Sequence, residues 1–455
     1  MTVTADPSRP SWRRGSRIAA ALVLPAFIAA VLSCGTAQGA GLRFGMYPGG
    51  VAGQLGPTPA APKPDDPQKQ LAALADLRPP GGPFVVHLYR SYLSDESDAA
   101  EELEAQKQVE RYTSAGYLVE YVVRYRRDDD VDGYVRFLRG LVDRFASNPR
   151  FVGLQVANEV NFTVSKDSSD GAYAGAKDAL IQGVIAAHDE AQKRGYDQLE
   201  VGFNYVYRLD PQSDQGFWDY LRDQGGPPFA EAVDWIGLDA YPGTFFPPAA
   251  TSDQMGPEMV KALDLIRSYA HGAGIADSVP IHVAENGYPT GAGRSYETQK
   301  AGLEAMVGTV AANSEKYDVS DYRWFDLRDA DTSSPNFQQH YGLTEDDYTP
   351  KPAYASWKSL IRKLSVRDPV PQPPTPAATR PRLRLRCYYR GVRARVTGPG
   401  VVAVTFRARG TTLTDRRAPF TRSIRLRRPR ALRVVALARR ADGSSVRLAT
   451  RRVCK

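Results

Sequence analysis

The sequence is poor in the residue types that most often hold metals and cofactors. Its 455 residues include three cysteines, five histidines and five methionines. The cysteines lie too far apart along the chain for a zinc site, and the histidines are scattered. No glycine-rich phosphate-binding loop follows the first apolar run. We therefore expect no metal and no cofactor, and the chemistry must come from acids, amides and aromatic rings.

Long hydrophobic runs are also scarce, and the one clear run lies near the start. Residues 18–32, IAAALVLPAFIAAVL, are apolar but short for a membrane span, and they are preceded by Arg13, Arg14 and Arg17. This pattern is typical of a signal peptide, here residues 1–39, and predicts a secreted protein without a transmembrane segment. An alternative is a lipoprotein signal, in which Cys34 would anchor the protein at the cell surface.

Acidic residues are almost absent from the C-terminal end. Residues 380–455 contain 23 basic and two acidic residues, whereas the rest of the chain contains 36 basic and 49 acidic residues. A nucleic-acid-binding surface is one reading of such charge, but here it is confined to one small module, and we expect no nucleic acid partner. The module could instead bind an anionic cell-wall polymer, dock on the acidic part of the chain, or be a solvated spacer.

Apolar, strand-like runs alternate with helical patterns over residues 41–366. We identify eight such runs, at 42–47, 84–89, 118–125, 152–159, 199–205, 233–241, 280–285 and 321–327. Strands that are buried on both faces and joined by helices form parallel sheets. Eight βα units in a segment of this length predict a closed (β/α)8 TIM barrel, with an open, doubly wound sheet as the alternative.

Two further segments follow the predicted barrel. Residues 367–381 form a proline-rich linker, and residues 382–455 alternate apolar residues with arginines. This alternation predicts a small antiparallel β-sandwich module. Cys387 and Cys454 lie near its two ends, and in an exported protein we expect them to form a disulfide, worth about 4 kcal/mol in the chain-entropy model. Two free thiols are the alternative.

Two carboxylates end strands that should face each other across the barrel mouth. Glu159 ends the fourth strand, in LQVANEVN (154–161), and Glu285 ends the seventh, in HVAENGYPT (282–290). Active sites of such barrels lie at the C-terminal ends of the strands. A pair of carboxylates there is what cleavage of a glycosidic bond requires, one to protonate the leaving oxygen and one to attack or to activate water.

The motifs around these residues resemble those of a known group of enzymes. VANEV (156–160), DAYPGTFF (239–246) and AENGYPTGAG (284–293) are similar to glycoside hydrolase clan A barrels, nearest to the family 17 β-1,3-glucanases. HYGLTEDDYTPKPAYASW (340–357) is similar to the tails of families 39 and 5. The resemblance covers residues 41–365 and indicates the clan rather than one family.

The resemblance implies a role for each of five residues. Glu159 would be the acid/base and Glu285 the nucleophile, while Asn158 would hydrogen-bond the sugar 2-hydroxyl. Tyr241 would hydrogen-bond Glu285, and the nearby positive charge of Arg90 would keep Glu285 ionised. The alternative for Arg90 is a structural ion pair with an acid.

Other residues near strand ends are candidate substrate contacts. By the same resemblance, Trp324 would form an apolar floor beneath the sugar, with a place in the hydrophobic core as the alternative. Tyr47, His87, Asn204 and Tyr205 are further candidates because they fall near strand ends.

The chain departs from the family 5 pattern at two positions that would touch substrate. Asp239 replaces a histidine on strand six, and strand three ends in Arg124-Tyr125 rather than a histidine. The sequence therefore does not identify the preferred sugar. The sequence predicts a monomeric, secreted, retaining hydrolase of β-glycosidic bonds, of the β-glucan type. The alternatives are a non-catalytic binding protein that retains the barrel, and a transglycosylase that uses the same site.

Overall fold

Eight parallel strands close into a barrel in the computed structural model. The strands are hydrogen-bonded in sequence order, and β1 pairs with β8 to complete the ring. Their bounds are β1 Arg43–Met46, β2 Val85–Tyr92, β3 Leu118–Tyr125, β4 Phe151–Val156, β5 Glu200–Val206, β6 Trp235–Ala240, β7 Ile281–Asn286 and β8 Val319–Trp324. The structure describes residues 41–50, 63–93, 99–366, 381–388, 391–397, 401–408, 411–416, 420–425, 430–440 and 445–454. All eight predicted strands are confirmed.

Helices surround the barrel on its outer side. Their bounds are α1 Pro67–Leu77, α2 Ala99–Ser114, α3 Val131–Phe145, α4 Ala176–Arg194, α5 Pro211–Tyr220, α6 Gly226–Ala232, α7 Ser252–Gly272, α8 Tyr296–Ala312, α9 Ser314–Tyr317 and α10 Pro352–Leu364. Local signals start several of them. Asp66 accepts hydrogen bonds from the first backbone N–H groups of α1, and Thr251 and Gln254 form a capping box on α7. No helix within the described segments has the length and hydrophobicity to cross a bilayer.

The barrel strands are buried on both faces. β4, β6 and β7 are buried at every position, because one face points to the barrel axis and the other packs on helices. The axis side holds unusually many polar groups, including Glu120, Asp321 and Arg323. These groups pair with one another, so the lower barrel interior is an ion-pair network rather than an apolar core.

The C-terminal module consists of two antiparallel sheets, as predicted. One sheet has the order β13-β10-β9 and the other the order β12-β11-β14-β15. The bounds are β9 Arg382–Tyr388, β10 Gly391–Thr397, β11 Val401–Ala408, β12 Thr411–Asp415, β13 Thr421–Arg425, β14 Arg430–Arg440 and β15 Ser445–Cys454. Alternation places Val392, Phe406 and Val434 in a shared core and leaves Arg393 and Arg433 on the exposed side.

Some sequence predictions concern residues outside the described segments. These are the signal peptide at 1–39 with Cys34, most of the linker at 367–381, and the side chains of Cys387 and Cys454. The signal peptide, the lipid anchor and the disulfide therefore stay predictions.

Candidate active site

The Asn158-Glu159 pair lies in a tight turn immediately after β4. Ala157 and Glu159 have φ angles of 61° and 49°, in the left-handed region that residues with a Cβ seldom occupy. Such a conformation costs of the order of 1 kcal/mol per residue and persists only where the surroundings hold it. The turn aims both side chains into a pocket at the C-terminal end of the barrel.

Two buried side chains hold this turn in place. Asn204 on β5 accepts the backbone N–H of Glu159 at 2.7 Å and donates to the Asn158 Oδ1 at 3.0 Å. Asp170, in the loop after β4, accepts the backbone N–H of Asn158 at 2.8 Å and that of Tyr125 at 2.7 Å. The ends of three neighbouring strands are thus bound to one another around Glu159.

Glu285 lies opposite on β7 and accepts hydrogen bonds on both carboxyl oxygens. Tyr241 donates to its Oε2 at 2.6 Å, and Tyr89 donates to its Oε1. Burial, followed by the charge of Glu285, raises the pKa of each tyrosine well above its usual value. Both tyrosines therefore keep their protons and donate to Glu285, which fixes the orientation of its carboxyl group.

The two glutamates are in different electrostatic environments. Carboxylate oxygens of Glu159, Asp239 and Glu285 lie within 4.8 Å of one another. Burial and then the negative charge of Glu285 raise the pKa of Glu159 well above its ordinary range. The site thus holds one carboxyl group that favours its proton beside one that accepts two phenolic hydrogen bonds.

Asp239 is a third, fully buried carboxyl group in this cluster. Its Oδ2 accepts a hydrogen bond from the Nδ2 of Asn204. Burial, then Glu285 and Glu159, raise the pKa of Asp239 well above its usual value. Like charges this close disfavour the ionisation of all three carboxyl groups, and Asp239 therefore favours its protonated form.

This cluster is also the one group within the described segments whose side chains could surround a metal ion. A carboxyl group binds a cation in its ionised form. Burial and the neighbouring negative charges favour the protonated forms of Glu159 and Asp239.

Aromatic rings make up much of the pocket wall. The pocket encloses about 290 Å³, near the lower end of small-molecule sites. Its lining rings include Tyr47, Tyr89, Tyr241, Phe245, Phe325 and Tyr341. Arg124 at the end of β3 also lines the pocket, where its Nε donates to Asp170 at 3.1 Å. Rings of this kind pack against the apolar faces of sugars, and the polar groups between them can bind hydroxyls.

The expected contact between Arg90 and Glu285 is wrong. Arg90 points out of the barrel, where it pairs with Glu102 on α2 and lies over the ring of Phe137 at 5.1 Å. Side chains alternate along a strand, so Tyr89, its neighbour, points inwards and contacts Glu285 instead.

The expected role of Trp324 as the sugar floor is wrong for the same reason. Trp324 is fully buried on the outer face of β8 and packs on Trp357 of α10, with ring centroids 6.0 Å apart. The next residue, Phe325, lines the pocket and stacks on Tyr47 at 5.3 Å. The floor of the pocket is therefore Phe325.

The remaining candidates divide by the face on which they lie. Tyr47 lines the pocket, and Asn204 lies beneath it as a support for Glu159. His87 is buried below Tyr89, with its Nε2 3.2 Å from the tyrosine oxygen, and does not line the pocket. Tyr205 points outwards and donates to Asp214 on α5 at 2.8 Å, so its expected contact with substrate is wrong.

Sequence reasoning missed Tyr89, Asp170 and Phe325 as site residues. A strict two-residue alternation from His87 gives Tyr89, so that residue had a usable signal. Asp170 lies in a loop 11 residues beyond Glu159, and no local pattern distinguishes it from other loop acids.

No protein-family model matches the sequence, and no curated protein matches it. Solved structures do match the fold. A GH5_18 protein from Bifidobacterium longum subsp. infantis is 12% identical, with a TM-score of 0.50 over 72% of this chain and 80% of that chain. A GH5_18 protein from Streptomyces cattleya in complex with GlcNAc is 16% identical, with a TM-score of 0.49 over 74% and 83% of the two chains.

A third match is with a larger protein. A calcium-binding mutant of Bacteroides uniformis β-glucuronidase 2 is 12% identical with a TM-score of 0.45. The match covers 90% of this chain but 45% of that protein, so this chain spans less than half its length. At such identities the likeness concerns the fold. The expected resemblance to a glycoside hydrolase barrel is therefore confirmed at the level of the fold.

Proposed function

We propose that this protein is a retaining glycoside hydrolase that cleaves β-glycosidic bonds. The observation that carries the proposal is the pairing of Glu159 and Glu285 at the ends of β4 and β7 in an aromatic pocket. Their oxygens lie within 4.8 Å of each other. Retaining enzymes hold their carboxyl groups about 5–5.5 Å apart, whereas inverting enzymes need a wider gap for water.

In the first step, Glu285 attacks the anomeric carbon while Glu159 protonates the leaving oxygen. The carboxylate of Glu285 is held by Tyr89 and Tyr241, which fix its orientation. The raised pKa of Glu159 supplies the proton at a pH where an ordinary glutamate would have lost it. The product is a glycosyl ester on Glu285 and a free leaving group.

In the second step, Glu159 acts as the base. Formation of the ester removes the negative charge of Glu285, which is the second cause of the raised pKa of Glu159. Glu159 then ionises more readily and can take a proton from the incoming water, which cleaves the ester. Each of the two displacements inverts the configuration of the anomeric carbon, so the product has the configuration of the substrate.

Asn158 and Phe325 are proposed to position the sugar. Asn158 lines the pocket beside Glu159, with its Nδ2 donating to the carbonyl of Ser168 at 3.1 Å. This fixed amide is the group we expect to meet the sugar 2-hydroxyl, while Phe325 packs against the ring.

We further propose that the protein is exported and acts on a β-glucan-type polysaccharide or oligosaccharide outside the cell. Export is supported by the arginines and the apolar run of residues 13–32. The exposed arginines of the C-terminal module, among them Arg395, Arg407 and Arg433, are suited to an anionic cell-wall polymer.

The test is release of reducing sugar from β-1,3-glucan, β-1,4-glucan, xylan, mannan and galactan. The wild type is compared with Glu285→Gln, Glu159→Gln and the control Glu231→Gln, which removes an exposed acid on α6. We expect release from one polymer by the wild type and the control, and a loss of at least about 10³-fold in Glu285→Gln.

Three further readouts separate the mechanism from its alternatives. Proton NMR of the first product should show the β-anomer, and the α-anomer would refute retention. Azide should restore activity to Glu159→Gln by replacing the water that needs a base. Glycosyl transfer to added sugar in place of hydrolysis would identify a transglycosylase. Folded protein with no release from any substrate would favour the binding-protein alternative.

A further inference from the structure

A chain of buried polar side chains connects the lower barrel interior to Glu285. Glu120 on β3 lies 2.7 Å from the Nδ1 of His87, and the Nε2 of His87 lies 3.2 Å from the oxygen of Tyr89. Tyr89 in turn donates to the Oε1 of Glu285. His87 and Tyr89 occupy alternate positions on β2, so one strand face carries both.

The charge of Glu120 fixes one proton of His87. Glu120 is fully buried, and burial alone would raise its pKa. The positive charge of Arg323 and the hydrogen bond from His87 outweigh burial and hold the pKa of Glu120 well below its usual range. An ionised carboxylate can only accept hydrogen bonds, so the Nδ1 of His87 carries a proton and donates it to Glu120.

The position of the single hydroxyl proton of Tyr89 bears on the second ring nitrogen of His87, its Nε2. Its hydroxyl has two neighbours, His87 and Glu285, and the contact with Glu285 is the shorter of the two. If the proton lies toward Glu285, the tyrosine oxygen faces the Nε2 of His87 with its lone pair. If the Nε2 donates to that lone pair, both ring nitrogens carry protons and His87 is the positive charge of the chain.

The other charged groups around His87 are consistent with this assignment. Arg323 lies 3.4 Å from the second oxygen of Glu120, and Asp321 pairs with Arg323 at 2.7 Å. His282 on β7 also faces Glu120, at 3.9 Å. Burial lowers the pKa of His282 to about 4, so it is neutral at neutral pH and adds no competing positive charge.

We propose that Glu120, His87 and Tyr89 form a positioning relay that keeps Glu285 ionised and oriented. The relay places a buried positive charge one hydroxyl group away from Glu285, where the sequence had suggested Arg90. The alternative state has the proton on Glu285, with Tyr89 donating to a neutral His87. The two states interconvert when Glu285 gives its proton to the Tyr89 oxygen and Tyr89 gives its own to His87, so no proton is gained or lost. The catalytic meaning of the relay rests on the proposed role of Glu285.

The first test does not depend on activity. The chain has five histidines, so 15N-histidine NMR can be assigned to His87 by its disappearance in His87→Gln. We expect the imidazolium pattern for His87 in the wild type at neutral pH. In Glu285→Gln and in Tyr89→Phe we expect its titration midpoint to move to lower pH. A neutral His87 in the wild type, or identical midpoints in all three proteins, would overturn the relay.

The second test uses the pH dependence of kcat/KM. The acidic limb reports ionisation of the nucleophile in the free enzyme. Loss of a hydrogen bond to the charged form of Glu285 disfavours that form, so the limb should move to higher pH by about one unit or more in Tyr89→Phe and His87→Gln. Arg90→Gln is the matched control, because Arg90 pairs with Glu102 outside the barrel and its loss should leave the limb in place.

The outcomes separate the relay from the proposed function. If the NMR titration midpoint of His87 falls in Glu285→Gln and in Tyr89→Phe but the protein cleaves no glycoside, the relay is retained and the hydrolase is refuted. If the protein hydrolyses a glycoside but His87 is neutral and the acidic limb of kcat/KM stays in place in Tyr89→Phe and His87→Gln, the hydrolase is retained and the relay is refuted. A limb that moves in Arg90→Gln but not in Tyr89→Phe would also refute it.

Discussion

Replacing Asp239 by asparagine should change how the stability of the protein depends on pH. Asp239 is fully buried, and burial together with Glu285 and Glu159 raises its pKa well above the ordinary value. The folded protein therefore keeps a proton on Asp239 that the unfolded chain has lost above pH of about 4. Because the folded state binds the extra proton, raising the pH favours unfolding.

The magnitude follows from proton linkage. One proton bound in the folded state alone costs about 1.4 kcal/mol of stability for each pH unit. The contribution is fully present below the unfolded pKa of Asp239 and is lost as the pH rises towards its folded pKa. Asparagine has no such proton, and its carbonyl oxygen can still accept the hydrogen bond from Asn204. Asp239→Asn should thus gain about 1.4 kcal/mol per pH unit relative to the wild type, over the range between the unfolded pKa of about 4 and the raised pKa of Asp239 in the folded protein.

Urea unfolding of both proteins between pH 5 and 8 measures this difference directly, with Glu231→Gln as a control for the loss of one exposed acid. We expect the Asp239→Asn curve to diverge from the wild type and the control curve to remain parallel to it. Parallel curves for Asp239→Asn would refute a neutral Asp239 and, with it, the assignment of protons within the carboxyl cluster.

Four other substitutions test the placement of residues. Phe325→Ala should raise KM or lower kcat/KM by about tenfold because the sugar loses the ring on which it packs. Trp324→Phe should cost about 1–3 kcal/mol of stability with little change in KM, because Trp324 is buried outside the pocket. The reverse pattern would mean that Trp324 is the floor of the pocket. Asn204→Ala removes two hydrogen bonds from the turn that carries Glu159, so kcat should fall by 10-fold or more while the protein remains folded; an unchanged kcat would mean that the turn holds itself. Cys387→Ser should lower the unfolding free energy of the C-terminal module by about 4 kcal/mol, and peptide mass spectrometry that finds free thiols in the wild type would contradict the disulfide.

The sequence could indicate the barrel because its signal is repeated eight times. Each strand is a short apolar run followed by a helical pattern, and errors of one or two residues at a boundary do not change the fold. The C-terminal module could be predicted equally well, because the strict alternation of residues 382–387 shows which side chains lie inside.

The orientation of individual side chains was harder to predict within the barrel. A strand of a half-exposed sheet shows its inner face by polarity, but barrel strands are buried on both faces. The sequence therefore does not show whether Tyr89 or Arg90, and whether Trp324 or Phe325, faces the axis. Each error was a shift of one residue, which moves a side chain from the pocket to the helices.

By itself, the sequence determined the number of strands, their order and the two glutamates at the ends of β4 and β7. Those features depend on local patterns and on the rule that parallel strands end at one edge of a barrel. The resemblance implied the contact of Tyr241 with Glu285, but only the tertiary structure decided that Tyr89 and Asp239 also lie beside Glu285. Its neighbours Tyr89, Tyr241 and Asp239 come from two other strands, and the protonation of Glu159 depends on burial and on the distance between charges. These are properties of the closed barrel, because desolvation and Coulomb interactions act through space and not along the chain.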